Sequence, residues 1–231
     1  MEWNRMEWNR IEWNRIELLD RIYPIFFQKI GTVNVSYFKN YFDAKPTKTV
    51  SLFDWLFSDE FKKQVEVVCS CSDKAERRRL KSLLPCITVS GIFKKRSADS
   101  LIQHSGYICI DLDSQDNPAV ENWNKLKYGL GGFPGYCYGS LSASGKGMFM
   151  IVQVSNPDRH VEHFHAIVDT LNEQGLIADK QCKDIARLRG ASYDSTPFLN
   201  ADAGAFKDMV GTTDYIINIH SLINNDVWDI G

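Results

Sequence analysis

The chain has 231 residues, of which 44% are hydrophobic and 12% aromatic, with a formal net charge of -2 and a pI near 6.2. That composition is enough for a real core, suits one large domain or one domain plus a small appendage, and excludes a global basic field that would by itself attract nucleic acid. No apolar run approaches the roughly 18 residues of a membrane span, and no signal-peptide pattern opens the chain, so a cytoplasmic protein with no membrane partner is expected.

The first fifteen residues repeat a pentapeptide, MEWNR, MEWNR, IEWNR. Five residues advance about 500° on a helix, so Trp3, Trp8 and Trp13 share no face, and residues 1–15 read as a non-functional extension. Residues 16–204 form the expected domain, and 205–231 a C-terminal extension of unknown role with a weak strand or helix at Tyr215 to Leu222. Ile16 to Ile30 suggests a short helix broken near Pro24. Val33 to Tyr41 alternates as a strand, and Asp43 to Thr49 is a polar loop. Ser51 to Val68 reads as one or two helices with Phe53, Trp55, Leu56, Phe57, Phe61, Val65 and Val68 inward, and Ser58 as an N-cap between them. Asp73 to Leu84 is a short amphipathic helix whose basic face includes Arg77, Arg78 and Lys81. Such runs are usually solvated. With Lys94, Lys95 and Arg96 beyond a strand at Cys86 to Val89, this run is nevertheless the best candidate for a phosphate-backbone groove.

The most informative stretch is Tyr107 to Asn117, YICIDLDSQDN. Period two places Ile108, Ile110 and Leu112 on one side of a strand and Tyr107, Cys109, Asp111 and Asp113 on the other. Two carboxylates about 6–7 Å apart on one face repel, and a divalent cation is the simplest group to sit between them. An isolated Asp-x-Asp also suits a plain acidic turn. Asn117-Pro118 then signals a helix from Ala119 to Leu130, closed by Gly131 to Gly135. Two strands, Tyr136 to Gly139 and Gly147 to Val154, flank the turn SLSASGKG. There Gly145 and Gly147 let backbone N–H groups converge on an anion, Lys146 adds a charge, and Ser142 and Ser144 add hydroxyls. The same residues also suit an ordinary hairpin turn.

Asn156-Pro157 opens a helix through about Glu173. His160, His163 and His165 fall inside it, where positions two apart diverge, so a His-x-His metal pair is disfavoured. His104 precedes the acidic strand, as a turn residue or a second layer behind the site. Asp179 and Asp184 follow, then Arg187 and Arg189 at alternate positions of a short strand, suited to bidentate phosphate contacts or to salt bridges with neighbouring aspartates. A last short strand is expected near Pro197 to Leu199. The six cysteines are spaced as reduced thiols, not as a zinc site. The order of elements is mixed α/β.

On these motifs the chain resembles the primase-like N-terminal domain of virulence-associated protein E-type proteins, within the archaeo-eukaryotic primase (primase-polymerase) superfamily. The stretches concerned are Ile108 to Asp113, Ser142 to Gly147 and Ile177 to Arg189, and the resemblance runs from about Val33 to Asn200. It implies a mixed or antiparallel central sheet flanked by helices, an RRM-like catalytic core performing two-metal nucleotidyl transfer in a mobile-element replication protein. Asp111, Asp113 and Asp179 would be catalytic and would hold Mg2+ or Mn2+, with Asp184 as the alternative third carboxylate. Lys146, Arg187 and Arg189 would hold the triphosphate, beside the Ser142, Ser144, Gly145 and Gly147 turn. Expected partners are nucleotides, single-stranded or template DNA, and a replicative helicase acting in trans. Met148, Phe149 and Met150 stand where active primases carry a His, which leaves a non-catalytic nucleotide- or nucleic-acid-binding module as the alternative.

Overall fold

A computed structural model describes residues 20–21 and 23–207. The pentapeptide repeat and the expected element at Tyr215 to Leu222 lie outside the described residues. The chain is a mixed α/β fold in which every pairing between named strands is antiparallel. In chain order the helices and strands are α1 (Tyr23–Ile30), β1 (Asn34–Phe38), β2 (Lys48–Ser51), α2 (Leu52–Phe57), α3 (Lys62–Ser70), α4 (Lys74–Leu83), β3 (Cys86–Thr88), β4 (Gly91–Phe93), β5 (Leu101–His104) and β6 (Tyr107–Asp113). They continue with α5 (Trp123–Gly129), β7 (Tyr136–Leu141), β8 (Gly147–Gln153), α6 (His160–Glu173), β9 (Leu188–Gly190) and β10 (Phe198–Leu199).

One sheet has the order β2-β1-β3-β9, a second β10-β7-β8-β6, and β4 and β5 form a separate hairpin. The second sheet is the central layer because both of its faces are apolar. On one face Ile108, Ile110, Leu112, Met148, Met150 and Val152 pack with Leu126 of α5 and with Phe164, Ile167 and Leu171 of α6. On the other, Tyr107, Tyr138, Phe149 and Ile151 meet α1, α2 and α3. This second interface is largely aromatic: Phe53 lies edge-on to Tyr107 at 5.5 Å and Phe57 to Tyr138 at 5.4 Å. Rings in this arrangement add attraction beyond the area that they bury. Among the described residues no helix is long and apolar enough to cross a membrane.

Local chemistry explains where several elements begin, and in three places it differs from the pattern expected from sequence. Ser51, not Ser58, caps a helix start, its hydroxyl accepting from Asp54 N–H at 3.4 Å. Ser58 terminates α2 and turns the chain by accepting from Glu60 N–H at 3.1 Å. Pro24 does not break a helix but sits in the first turn of α1, where no intrahelical N–H is lost. Asn117 does not start α5, which is capped instead by Asn122 accepting from Lys125 N–H at 2.9 Å. Asn117 is instead buried and binds a distant segment: its amide donates to Ile177 O and accepts from Ile177 N–H, both at 2.8 Å. Asp73, by contrast, caps α4 through Glu76 N–H at 2.7 Å, and Asn156 opens the turn leading into α6.

Candidate functional site

Asp111 and Asp113 occupy the last turn of the pleat in β6. The register pairs Asp111 with Phe149 and Asp113 with Gly147, so the acidic end of β6 lies against the start of β8 and the turn before it. Gly147 is required there: a Cβ would stand 2.5 Å from Leu112 O, inside the neighbouring strand. Gly145 has φ +67, the left-handed conformation that closes the turn. The expected convergence of backbone N–H groups on an anion is not what forms. Ser142 N–H donates to Gly147 O at 2.9 Å and Gly145 N–H to Ser142 O at 2.8 Å, so both are spent inside a hairpin turn. What this turn offers a ligand is its side chains, Ser142, Ser144 and Lys146, all of which line one cavity.

The segment after α6 enters as a partial strand on the other side of β6. Ala178 bridges Leu112, and Asp179 N–H donates to Asp111 O at 2.9 Å. Asn117 holds the same segment one residue earlier. Asp179 then caps a short 3-10 turn (Lys180–Lys183) by accepting from Gln181 N–H at 2.9 Å, and its second oxygen accepts from Arg187 at 2.7 Å. Arg189, carried by β9 at the edge of the first sheet, reaches across to Asp111. Its guanidinium lies 4.2 Å over the Phe149 ring, a cation–π contact, and its Nε is buried with no hydrogen-bond partner.

The result is a cavity of about 510 Å³ with an acidic floor and a basic wall. Asp111, Asp113 and Asp179 form the floor. Arg187 and Arg189 lie beside them, and Lys74, Arg77, Arg78 and Lys81 line the wall from α4. Arg96 and Tyr41 enter from two loops. Burial, and then Asp111 nearby, raise the Asp113 carboxyl above its ordinary value. Burial, with Arg189 next, lowers the Lys81 ammonium. Burial, the largest single influence, works against the Arg189 charge, but Asp111 together with Cys109, Tyr41 and Cys182 holds the guanidinium above its ordinary value. The Cys182 thiol, 3.6 Å from Asp111 Oδ2, is raised well above its usual range by burial and by that carboxylate. It therefore remains an S–H donor.

Asp111, Asp179 and Cys182 have ligand atoms within 4.8 Å of one another. For a hard divalent cation the better donors are oxygens. The Asp113 carboxylate has no hydrogen-bond or ion-pair partner among the described residues, and Asp111 Oδ2 engages only the weak Cys182 donor. Asp111 and Asp113 are the side chains that would hold a hard cation such as Mg2+ or Mn2+, which use one or two carboxylates and complete their shell with water and phosphate. Asp179 is committed to Arg187 and Gln181 in this state.

Other expected residues lie elsewhere. Asp184, the alternative third carboxylate, accepts from Ala186 N–H at 2.9 Å and lines a second cavity with Asp158 and His160, because the 3-10 turn carries it past β6. Lys94 and Lys95 are exposed and do not line the first cavity, whereas Arg96 does. His160 and His163 are buried on α6 and His165 is exposed, as expected for positions that diverge on a helix. His104 does not back the acidic site: its Nε2 lies 3.1 Å from His160 Nδ1. Sequence alone missed Cys182, Phe149 and Tyr41 as site residues, whereas Lys74 belongs to the expected basic face of α4. Phe149 was within reach, since period two from Gly147 places it opposite Asp111.

No curated protein and no solved structure matches the chain. A family model does, over residues 79–198, a span holding the acidic strand, the Gly-Lys-Gly turn and both arginines. That family is described as BT4734-like, N-terminal domain, and it corrects the resemblance to the primase-like domain of virulence-associated protein E-type proteins: it is a different family, and no primase family matches. The earlier likeness rested on three short motifs, an acidic strand end, a glycine-lysine turn and paired arginines, each of which any phosphate site on an antiparallel sheet would favour. With more than half of its length matched, the chain belongs to the BT4734-like N-terminal domain family.

Proposed function

We propose that the cavity binds a nucleoside polyphosphate together with a divalent cation and supports nucleotidyl transfer onto a nucleic-acid strand. The observation that carries this reading is the meeting of three carboxylates with eight cations, Lys74, Arg77, Arg78, Lys81, Arg96, Lys146, Arg187 and Arg189, around one cavity. An anion alone would be repelled by the floor and a cation alone by the wall. A chelate of the two satisfies both.

The resting ion pairs suggest how the chain accommodates it. Arg189 neutralises Asp111, and Arg187 neutralises Asp179. An arriving polyphosphate offers both guanidinium groups a new bidentate acceptor, which releases the carboxylates. Asp111 and Asp113 would then hold the cation, Mg2+ or Mn2+, which supplies Lewis-acid polarisation of the phosphate and lowers the pKa of a bound hydroxyl. Lys146 and the Ser142 and Ser144 hydroxyls are placed to bind phosphate oxygens. The half-buried Lys81, its charge already disfavoured by burial, gains most from a phosphate beside it.

The test is calorimetric titration of tripolyphosphate with and without Mn2+, followed by a transfer assay with labelled nucleotide and a primed strand. Tight binding only when both ions are present, with an extended strand as product, supports the reading. Equal binding with and without Mn2+ overturns it. A second reading, a non-catalytic binding module, is favoured by the Arg–Asp pairs that neutralise two of the carboxylates, and predicts polyphosphate binding with no product.

A further inference from the structure

The most exposed large hydrophobic side chain among the described residues is a single ring, Phe42, which is 73% exposed. It stands in the β1–β2 loop next to Tyr41, which lines the cavity. Ordinary loop mobility does not account for it, because the loop is tied on several sides. Phe42 N–H donates to Asn40 Oδ1 at 2.8 Å, Thr47 N–H to Tyr37 O at 2.8 Å, and Lys39 N–H to Asp43 Oδ2 at 3.0 Å.

A second loop is fastened to the first. Arg96 N–H donates to Ala44 O at 2.8 Å, and the Arg96 guanidinium donates to Tyr41 O at 2.9 Å. Together, residues 39–47 and 94–97 carry Lys39, Lys45, Lys94, Lys95 and Arg96, all exposed, against Asp43 alone. In a chain of net charge -2 this is a local concentration of positive charge. Through Tyr41 and Arg96 it is continuous with the basic wall of the cavity.

We infer that this two-loop lip is a binding surface for single-stranded nucleic acid, with an unpaired base stacked on Phe42 and the adjoining phosphates on Lys94, Lys95 and Arg96. Each part of the surface has a match in that ligand. Exposed cations in series track a phosphate backbone, and a rigid, solvent-facing ring stacks on any base because every base has a π-face. A duplex provides the phosphates but keeps its base faces stacked inside. An acidic peptide provides charge but has no general use for the ring. The inference rests on the nucleotide reading of the cavity only for why a strand should lead there.

The experiment is fluorescence anisotropy of a labelled oligothymidylate with the full chain. Phe42→Ala is expected to weaken binding about tenfold, the usual effect of removing one stacked base, while Phe42→Trp retains it. Lys94→Ala and Lys95→Ala are each expected to reduce the slope of log affinity against log salt by about 0.7. Unchanged affinity in Phe42→Ala, or equal competition by a duplex or by polyglutamate, would overturn the inference. The two proposals fail separately. Phe42-dependent strand binding in a protein that shows no Mn2+-dependent tripolyphosphate binding keeps the lip and removes nucleotidyl transfer. The reverse result removes the lip alone.

Discussion

Two buried ion pairs in this molecule have similar chemistry and opposite surroundings. Lys127 of α5 is fully buried, and its ammonium donates to Asp194 at 2.6 Å, Thr196 O at 2.5 Å and Asn124 Oδ1 at 2.9 Å. Asp194 also accepts from the backbone N–H of Leu141 and of Thr196, both at 2.9 Å. Every proton of that ammonium has an acceptor, and Lys127 lines neither of the two cavities described above. Arg189 and Asp111 are also largely buried, but the guanidinium retains an unpartnered Nε, and both side chains line a cavity that other charges share. A fully satisfied buried charge has nothing left to offer a ligand, so it fixes structure. A partly satisfied one facing an opening is held ready to exchange partners.

That contrast is most directly broken by mutation. Asp194→Ala strands the Lys127 charge and is expected to destabilise the chain by about 3–5 kcal/mol, read as a lower urea midpoint; a small loss would show the pair is not structural. Asp111→Asn is expected to leave the fold more intact while Mn2+-dependent tripolyphosphate binding falls roughly 100-fold, the order for losing contacts to a charged group. Metal-free tripolyphosphate binding should become tighter in the same variant, because Arg189 loses its internal partner; calorimetry with and without Mn2+ reads both signs. Asn117→Ala is expected to cost about 1–3 kcal/mol by leaving the Ile177 backbone groups unpaired, with faster hydrogen exchange at Ile177 N–H as the local readout.

A smaller effect concerns acid. Burial lowers both His104 and His160 to about 4, below the ordinary histidine value of 6.5. The unfolded chain therefore binds more protons than the native one between those values, and stability is lost as pH falls from about 6.5 toward 4. Urea midpoints across that window should decline in the parent, and less steeply in His160→Gln. The acidic cavity acts in the opposite sense: the raised Asp113 carboxyl favours the native state as pH falls toward its value, so Asp113→Asn should slightly stabilise the chain near neutral pH.

Much of the central sheet was legible in advance because its signals are local. The alternation of Tyr107 to Asp113 gives the faces of β6, and the glycine pair at 145 and 147 gives the hairpin that joins β7 to β8. The helix at 74–83 follows from its cap at Asp73, and Asn156 opens the 3-10 turn that leads into the helix at 160–173. The hairpin of β4 and β5 and the short β2 carry no comparable pattern. The role of Asn117 was misread because Asn-Pro suits a helix start locally, whereas its amide satisfies backbone groups sixty residues away. Asp184 was kept as an alternative because sequence spacing cannot tell which of two carboxylates a 3-10 turn will direct inward.

Sequence by itself determined which side chains share a strand face, which residues turn the chain, and that carboxylates, a glycine-bordered lysine and paired arginines occur in that order. Only the tertiary structure decided that β9 lies at the edge of one sheet where Arg189 can cross to Asp111 in another, that Asn117 anchors the segment bearing Asp179, and that α4 turns its cations toward the same cavity. The reason is range. Periodicity and capping are fixed by bonds between near neighbours, whereas a site of opposed charges exists only once the packing of apolar faces has brought distant segments within reach of one another.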